Sequence, residues 1–259
     1  MDLGIEGRTA LVCASSRGLG RACAEALAAE GVDVVLSGRH LDDVAHAVDA
    51  INAWGRGRAS GVVCDVTSDD GRRALLDACP TPDILINNSA GPAPKLFGDI
   101  APGEWGPAVQ NNMIAPLVLA QAVLPMMKER RFGRIVNITS AMVTTPRPHM
   151  TLSSAPRAGL TAAMKAISLE VARFNVTINN MLPERIDTGR QHYMAEQTAR
   201  RENISYEEAR RRQVESIAAR RLGAPAEFGA ACAFLCSAFA GFISGQNLHL
   251  DGGSYPALV

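Results

Sequence analysis

The chain has 259 residues, 47% of them apolar, which suits one α/β domain with a large buried core. Its 26 basic and 26 acidic side chains cancel, so no net field steers it onto nucleic acid or an anionic lipid surface. No apolar run reaches the roughly eighteen residues of a membrane helix, and Met1-Asp2-Leu3-Gly4 lacks the basic and apolar regions of a signal peptide, so the expectation is a cytoplasmic protein with a small-molecule partner and neither nucleic acid nor membrane.

Short apolar runs alternate with amphipathic stretches, the βαβ pattern of a mostly parallel sheet covered by helices on both faces. Thr9 to Cys13 is the first predicted strand, Leu19 to Ala29 a helix ending at Gly31, and Val32 to Leu36 the second strand. In the next helix Leu41, Val44, Ala45, Val48 and Ile51 share one face. Further strands are predicted at Gly61 to Cys64, Ile84 to Ile86, Arg134 to Ile138, Thr177 to Met181 and Asn247 to Leu250. They read as nearly continuous apolar runs because both of their faces are buried. Cys13, Cys23, Cys64, Cys79, Cys232 and Cys236 are scattered through these elements and read as small core side chains, with no metal site expected. The fold class is a single doubly wound domain over 1–259, with no repeat or linker.

Cys13-Ala14-Ser15-Ser16-Arg17-Gly18-Leu19-Gly20 joins the first strand to the first helix. A glycine-rich turn there lets backbone N–H groups approach a pyrophosphate at a helix N-terminus, and Ala14 is compatible with it if its φ is negative. The second strand ends in Leu36-Ser37-Gly38-Arg39 with no carboxylate for a ribose 2′-hydroxyl. Arg39 there can pair with a 2′-phosphate, and Arg17 can close on it from the other side, so NADP is favoured over NAD; the alternative is a solvated surface arginine. Pro156 fits only the first turn of a helix, which places a helix start near Ser153 or Ser154, one of them as N-cap, and puts Arg157 beside that N-terminus as part of an anion site.

These motifs occur in order over nearly the whole chain, which resembles the short-chain dehydrogenase/reductase family, with a flavour of the 3-oxoacyl-carrier-protein reductases. The resemblance implies a Rossmann-like fold, NADP in the glycine-turn site (Ser15, Ser16, Arg17, Gly18, Leu19, Gly20), and Asp65 and Val66 against adenine, although Asp65 could equally cap a turn. Asn87-Asn88-Ser89-Ala90-Gly91 is similar to the family's Asn-Asn-Ala-Gly, which assigns Asn88, Ser89 and Ala90 to the cofactor. Asn112, at its spacing from Trp105, matches the Asn of the family's proton relay. Ser140 matches the substrate-binding Ser, which hydrogen-bonds a carbonyl oxygen as it gains charge; the alternative is a strand-end turn residue. Pro183, Ile186 and Thr188 match the turn that grips the nicotinamide, with Glu184 in place of a Gly.

Thirteen residues beyond Ser140 the family places a Tyr, and four further a Lys; here Ser153 and Arg157 occupy those places, in a frame fixed by Ala158-Gly159-Leu160. The three tyrosines, Tyr193, Tyr206 and Tyr255, lie far from this segment, and Lys165 is too far along the helix to substitute. A Ser hydroxyl is a far weaker acid than a phenol, and an Arg holds ribose hydroxyls without shuttling a proton. His149, Tyr193 and Ser140 with bound water are the candidate donors.

The charged stretch over about 190–221, with a capping box at Ser205-Tyr206-Glu207-Glu208, is the expected helical substrate lid. Arg210-Arg211-Arg212 reads as a solvated face, with acyl-carrier or CoA phosphate contact as the alternative. Ser244-Gly245-Gln246 and Asp251-Gly252-Gly253 match the family's last strand and oligomer interface, implying a homotetramer or dimer. Three functions remain open: an atypical NADP(H)-dependent oxidoreductase acting on a carbonyl or alcohol, a lyase or isomerase stabilising an enolate or carboxylate, and a non-catalytic NADP-binding protein.

Overall fold

The computed structural model describes residues 2–53 and 56–258. Chain order runs β1 (Thr9–Val12), α1 (Gly18–Ala29), β2 (Asp33–Gly38), α2 (Leu41–Asn52), β3 (Ala59–Val63), α3 (Asp69–Ala78) and β4 (Ile84–Asn87). Then come α4 (Trp105–Val109), a π turn at Gln110–Ile114, α5 (Ala115–Arg130), β5 (Gly133–Ile138), α6 (Thr151–Val171) and β6 (Val176–Pro183). The chain finishes with α7 (Gly189–Glu202), α8 (Tyr206–Glu215), α9 (Pro225–Cys236) and β7 (Asn247–Leu250).

The seven strands form one sheet in the order β3-β2-β1-β4-β5-β6-β7, and every pairing is parallel. Successive residues of a strand point to opposite faces, so each strand supplies two cores. Ala10, Val12, Ile84, Ile86, Val136 and Ile138 meet Leu27, Ala47 and Phe228 from α1, α2 and α9 on one face. Leu11, Leu85, Ile135 and Ile178 meet Leu75, Leu119, Val123, Leu160 and Met164 from α3, α5 and α6 on the other. This two-sided burial is what the unbroken apolar runs encode.

In α2 the buried stripe is Val44, Ala47 and Ile51, whereas Leu41, in the first turn beyond the strand ends, is 67% exposed and Ala45 is also exposed. The cysteine reading holds for Cys13, Cys23, Cys79, Cys232 and Cys236, which are buried; Cys64 is half-buried on the central cleft.

Near the strand ends a row of side-chain amides crosses the sheet. Asn87 donates to Asn137, Asn137 to Asn180 and Asn180 to Asn247, each at 2.9 Å. The four asparagines are register partners across β4, β5, β6 and β7.

The start of α6 departs from expectation. A single turn of 3-10 helix at Pro148–Met150 leads into the helix, which begins at Thr151 with Met150 as N-cap. Ser153 and Ser154 therefore lie within the first turn and cap nothing, and Pro156 sits inside the helix. Proline there forfeits its bond to the carbonyl four residues back. Burial of Leu152, Leu160, Met164 and Val171 holds the helix through that loss.

Candidate active site

The strand order reverses between β1 and β4, and a cleft of about 1110 Å³ opens at the C-terminal ends of the strands there. Its walls hold the glycine turn, the end of β2, the loops after β3, β4, β5 and β6, and the first turns of α6 and α7.

At one end Ser16, Arg17, Gly18 and Leu19 face the cleft. Gly18 has φ +63° and open space where a Cβ would stand, so backbone can approach a ligand over the α1 N-terminus. Gly20 is buried just beneath, against the Ala14 carbonyl and the Asn88 amide. Ser15 turns away from the cleft: its Oγ donates to Val12 O (2.7 Å) and accepts from Ser37 N (3.0 Å), tying the turn to β2. Ala14 adopts φ +45°, contrary to the negative φ that an alanine favours. It is held there by its N–H on Ser37 Oγ (2.9 Å) and by its carbonyl, which accepts from Asn88 Nδ2 (3.0 Å).

Arg17 and Arg39 both line this end, and their side chains make no hydrogen bond or ion pair among the described residues. Asp65, Val66, Asn88, Ser89 and Ala90 also line it. Asp65 closes a turn by accepting from Thr67 N at 2.9 Å. That bond, the Thr67 hydroxyl and the nearby Arg39 charge hold its carboxyl below the usual range. Its carboxylate is thus engaged in the turn, which is the capping alternative.

The other end gathers Ser140, Ser153, Arg157, Pro183, Ile186 and Thr188. Ser140, half-buried two residues past β5, caps a 3-10 turn at Ala141–Val143; its Oγ accepts from Met142 N (3.1 Å), which leaves the hydroxyl proton to donate into the cleft. Thr188 takes the N-cap position of α7, yet its hydroxyl forms no capping bond. Ser153 is 4% exposed, and its Oγ has no hydrogen-bond partner among the described residues. Arg157 is 6% exposed. Its Nη1 donates to Ile138 O and Thr139 O, both at 2.9 Å, its Nη2 donates to Ser89 O at 3.4 Å, and its Nε has no partner. Burial, with Arg190 adding like charge, pushes its guanidinium down to about 10. Arg157 lies in the second turn of α6, one turn further from the helix N-terminus than the sequence suggested.

Asn112 does not line the cleft. It sits buried in the π turn, its Nδ2 donating to Ala108 O (3.1 Å) and its Oδ1 accepting from Ser89 Oγ (3.3 Å). Its neighbour Asn111 faces the cleft and donates to Ala90 O at 2.7 Å. The π turn rotates the two side chains relative to a regular helix, a shift that residue spacing does not disclose.

The sequence also left unassigned a group of cations. Arg147, Arg185 and Arg190 line the cleft with His149, Tyr193 and Glu184. Arg147 pairs with Glu184 at 2.6 Å, and Arg190 donates to Pro92 O at 2.8 Å and lies 5.5 Å from the Tyr193 ring centroid. Burial, followed by the charges of Arg201, Arg147 and Arg185, lowers the His149 pKa.

The predicted stretch after the cleft forms α7 and α8, with Ser205 capping α8 by accepting from Glu208 N at 3.1 Å. The arginine run is spent on its own carboxylates: Arg210 on Asp187, Arg211 on Glu208 and Glu215, and Arg212 on Glu208 and Glu202. Arg211 and Arg212 are exposed, as the solvated-face reading expects, whereas Arg210 is half-buried against Asp187. No helix among the described residues is long and apolar enough to cross a membrane.

A family model described as enoyl-(acyl carrier protein) reductase matches residues 13–255. The NADPH-dependent reductase BacG of Bacillus subtilis is 31% identical over 97% of this chain and 99% of its own length. The 3-oxoacyl-[acyl-carrier-protein] reductase FabG of Haemophilus influenzae is 32% identical over 97% of this chain and 99% of its own. Among solved structures, L-sorbose reductase from Gluconobacter frateurii, complexed with NADPH and L-sorbose, superposes with a TM-score of 0.94 at 26% identity, covering 100% of both chains. The model's span, the near-complete alignments and the shared doubly wound sheet agree: the chain belongs to the short-chain dehydrogenase/reductase family.

Proposed function

We propose that the protein is an NADP(H)-dependent oxidoreductase interconverting a carbonyl and an alcohol, with proton-transfer chemistry unlike that of its family. One observation carries the reading. Two cations whose side chains make no hydrogen bond or ion pair among the described residues, Arg17 and Arg39, stand where a 2′-phosphate would lie, in the same cleft as the Ser140 hydroxyl. The residues fit the cofactor: the open glycine turn accepts a pyrophosphate, and no carboxylate ends β2. NADPH, when bound, supplies the hydride.

Ser140 donates to the carbonyl oxygen and stabilises the charge that grows there. Pro183, Ile186 and Thr188 border the nicotinamide end, with the Thr188 hydroxyl free to bond the carboxamide. Asn112 acts only through Ser89, as a positioning residue. Ser153 and Arg157 stand at the family's Tyr and Lys places and leave the proton to another group. We assign it to Tyr193, a phenol that lines the cleft with the Arg190 cation over its ring. Helices α7 and α8 form the lid over 190–221. Exposed Phe234, Phe239, Phe242 and Leu248 near the β7 edge supply the homo-oligomer contact.

NADPH fluorescence titration, followed by its oxidation with a panel of ketones and 3-oxoacyl thioesters, tests the reading. Binding with turnover supports it, and binding without turnover reduces the protein to a cofactor binder. An absence of binding removes the cofactor assignment.

A further inference from the structure

We infer, building on the reductase reading, that the substrate carries an oxyanion, a carboxylate or a phosphate, seated beside Gly91 between Arg157, Arg190 and Ser153. A Cβ placed on Gly91 would stand 3.7 Å from Arg157 Nη2, 3.7 Å from Ser153 Oγ and 4.0 Å from Arg190 Nη2. Three donor groups thus converge on one point of the cleft wall, and the backbone carries no side chain to fill it. Ser153 is the partnerless one: it is buried and its hydroxyl bonds nothing among the described residues.

The charge balance points the same way. Arg157, Arg185 and Arg190 make no ion pair among the described residues. Glu184, the carboxylate beside them on the cleft, is already paired with Arg147. A buried cation without a counter-charge is costly, and burial, with the like charge of Arg190, pushes the Arg157 guanidinium down to about 10. An incoming oxyanion supplies the missing charge, and paired guanidinium groups suit the planar or tetrahedral oxygens of both carboxylate and phosphate. With Ser140 on the reacting carbonyl, this seat makes the preferred substrate an oxo acid or an oxo phosphate ester.

Isothermal titration of the NADP+-saturated protein reads the seat without turnover. Pyruvate is compared with methyl pyruvate, and dihydroxyacetone phosphate with dihydroxyacetone. At least one anion is expected to bind about tenfold more tightly than its neutral partner. Arg190→Gln and Gly91→Ala are each expected to erase that preference; the second adds one methyl group at ordinary contact distances, so it keeps the fold. The pair that discriminates tells carboxylate from phosphate. Equal affinities within both pairs, no binding of either anion, or a preference that survives both variants overturns the proposal. If NADP+ does not bind, the reductase reading fails instead, and the same titrations on the cofactor-free protein still decide the seat.

Discussion

Gly20→Ala should destabilise the protein and weaken cofactor binding together. The new Cβ would stand 2.6 Å from Ala14 O, 2.7 Å from Asn88 Nδ2 and 3.0 Å from Ser15 Cα, so it meets backbone that cannot swing aside. Overpacking of this kind costs about 1–3 kcal/mol. The Asn88–Ala14 hydrogen bond, 3.0 Å long, lies in the path of the methyl group, and its loss adds about 1 kcal/mol. Alanine gains about 1 kcal/mol over glycine inside a helix, which offsets that last amount. A net loss of about 1–3 kcal/mol remains, or a fall in Tm of about 2–12 °C for a domain of this size. Thermal unfolding followed by circular dichroism measures it, with NADPH titration by fluorescence on the same samples. A Tm at or above that of the parent protein would refute the close-approach reasoning. So would unchanged NADPH affinity beside a lowered Tm, because the displaced Ala14 turn is the cradle proposed for the cofactor.

Arg39→Asp should weaken NADPH binding far more than NADH binding, since it removes a free cation and adds an acceptor for a 2′-hydroxyl; equal losses count against a 2′-phosphate site. Tyr193→Phe should lower kcat by about a hundredfold or more if the phenol gives up the proton, and a rate within a few fold of the parent would move that role elsewhere. Ser153→Tyr with Arg157→Lys should raise ketone reduction above the parent level; a correctly folded, NADPH-binding double variant without that gain would show that the rest of the site is not arranged for the family's relay. Glu208 is held at about 2 by Arg211 and Arg212, so its folded pKa is depressed. Its contribution to α8 is present above the ordinary glutamate range and is lost as pH falls toward 2. Protection factors of the α8 amides, taken against the intrinsic exchange rate at each pH, should therefore fall over that acidic window in the parent and less in Glu208→Gln.

The sheet was legible because strands buried on both faces leave an apolar run that little else produces, as at Ile84 to Ile86 and Arg134 to Ile138. The glycine turn was legible from its position between a strand and a helix. Pro156 misled because a local rule about helix starts was overridden by tertiary packing along α6. Ser15 and Asn112 carry the right residue type at the right spacing, yet their side chains point into β2 and the π turn. Direction depends on φ, and on an extra residue in a helical turn, neither of which spacing records. Arg190 went unassigned for another reason. Its neighbours Gly91 and Pro92 lie on the loop after β4, and Arg157 lies on α6, all far away in sequence, so only folding brings them together.

The row of asparagines through Asn87, Asn137, Asn180 and Asn247 works as a spirit level for the cleft. Asn137 and Asn180 each donate to one neighbouring strand and accept from the other, so neither β5 nor β6 can slide one residue without stranding buried amide groups. Ser89, Ser140 and Pro183 follow the row by two or three residues, at or just past the ends of β4, β5 and β6. Their relative heights at the mouth are therefore set by a polar gauge inside the sheet, before any ligand arrives.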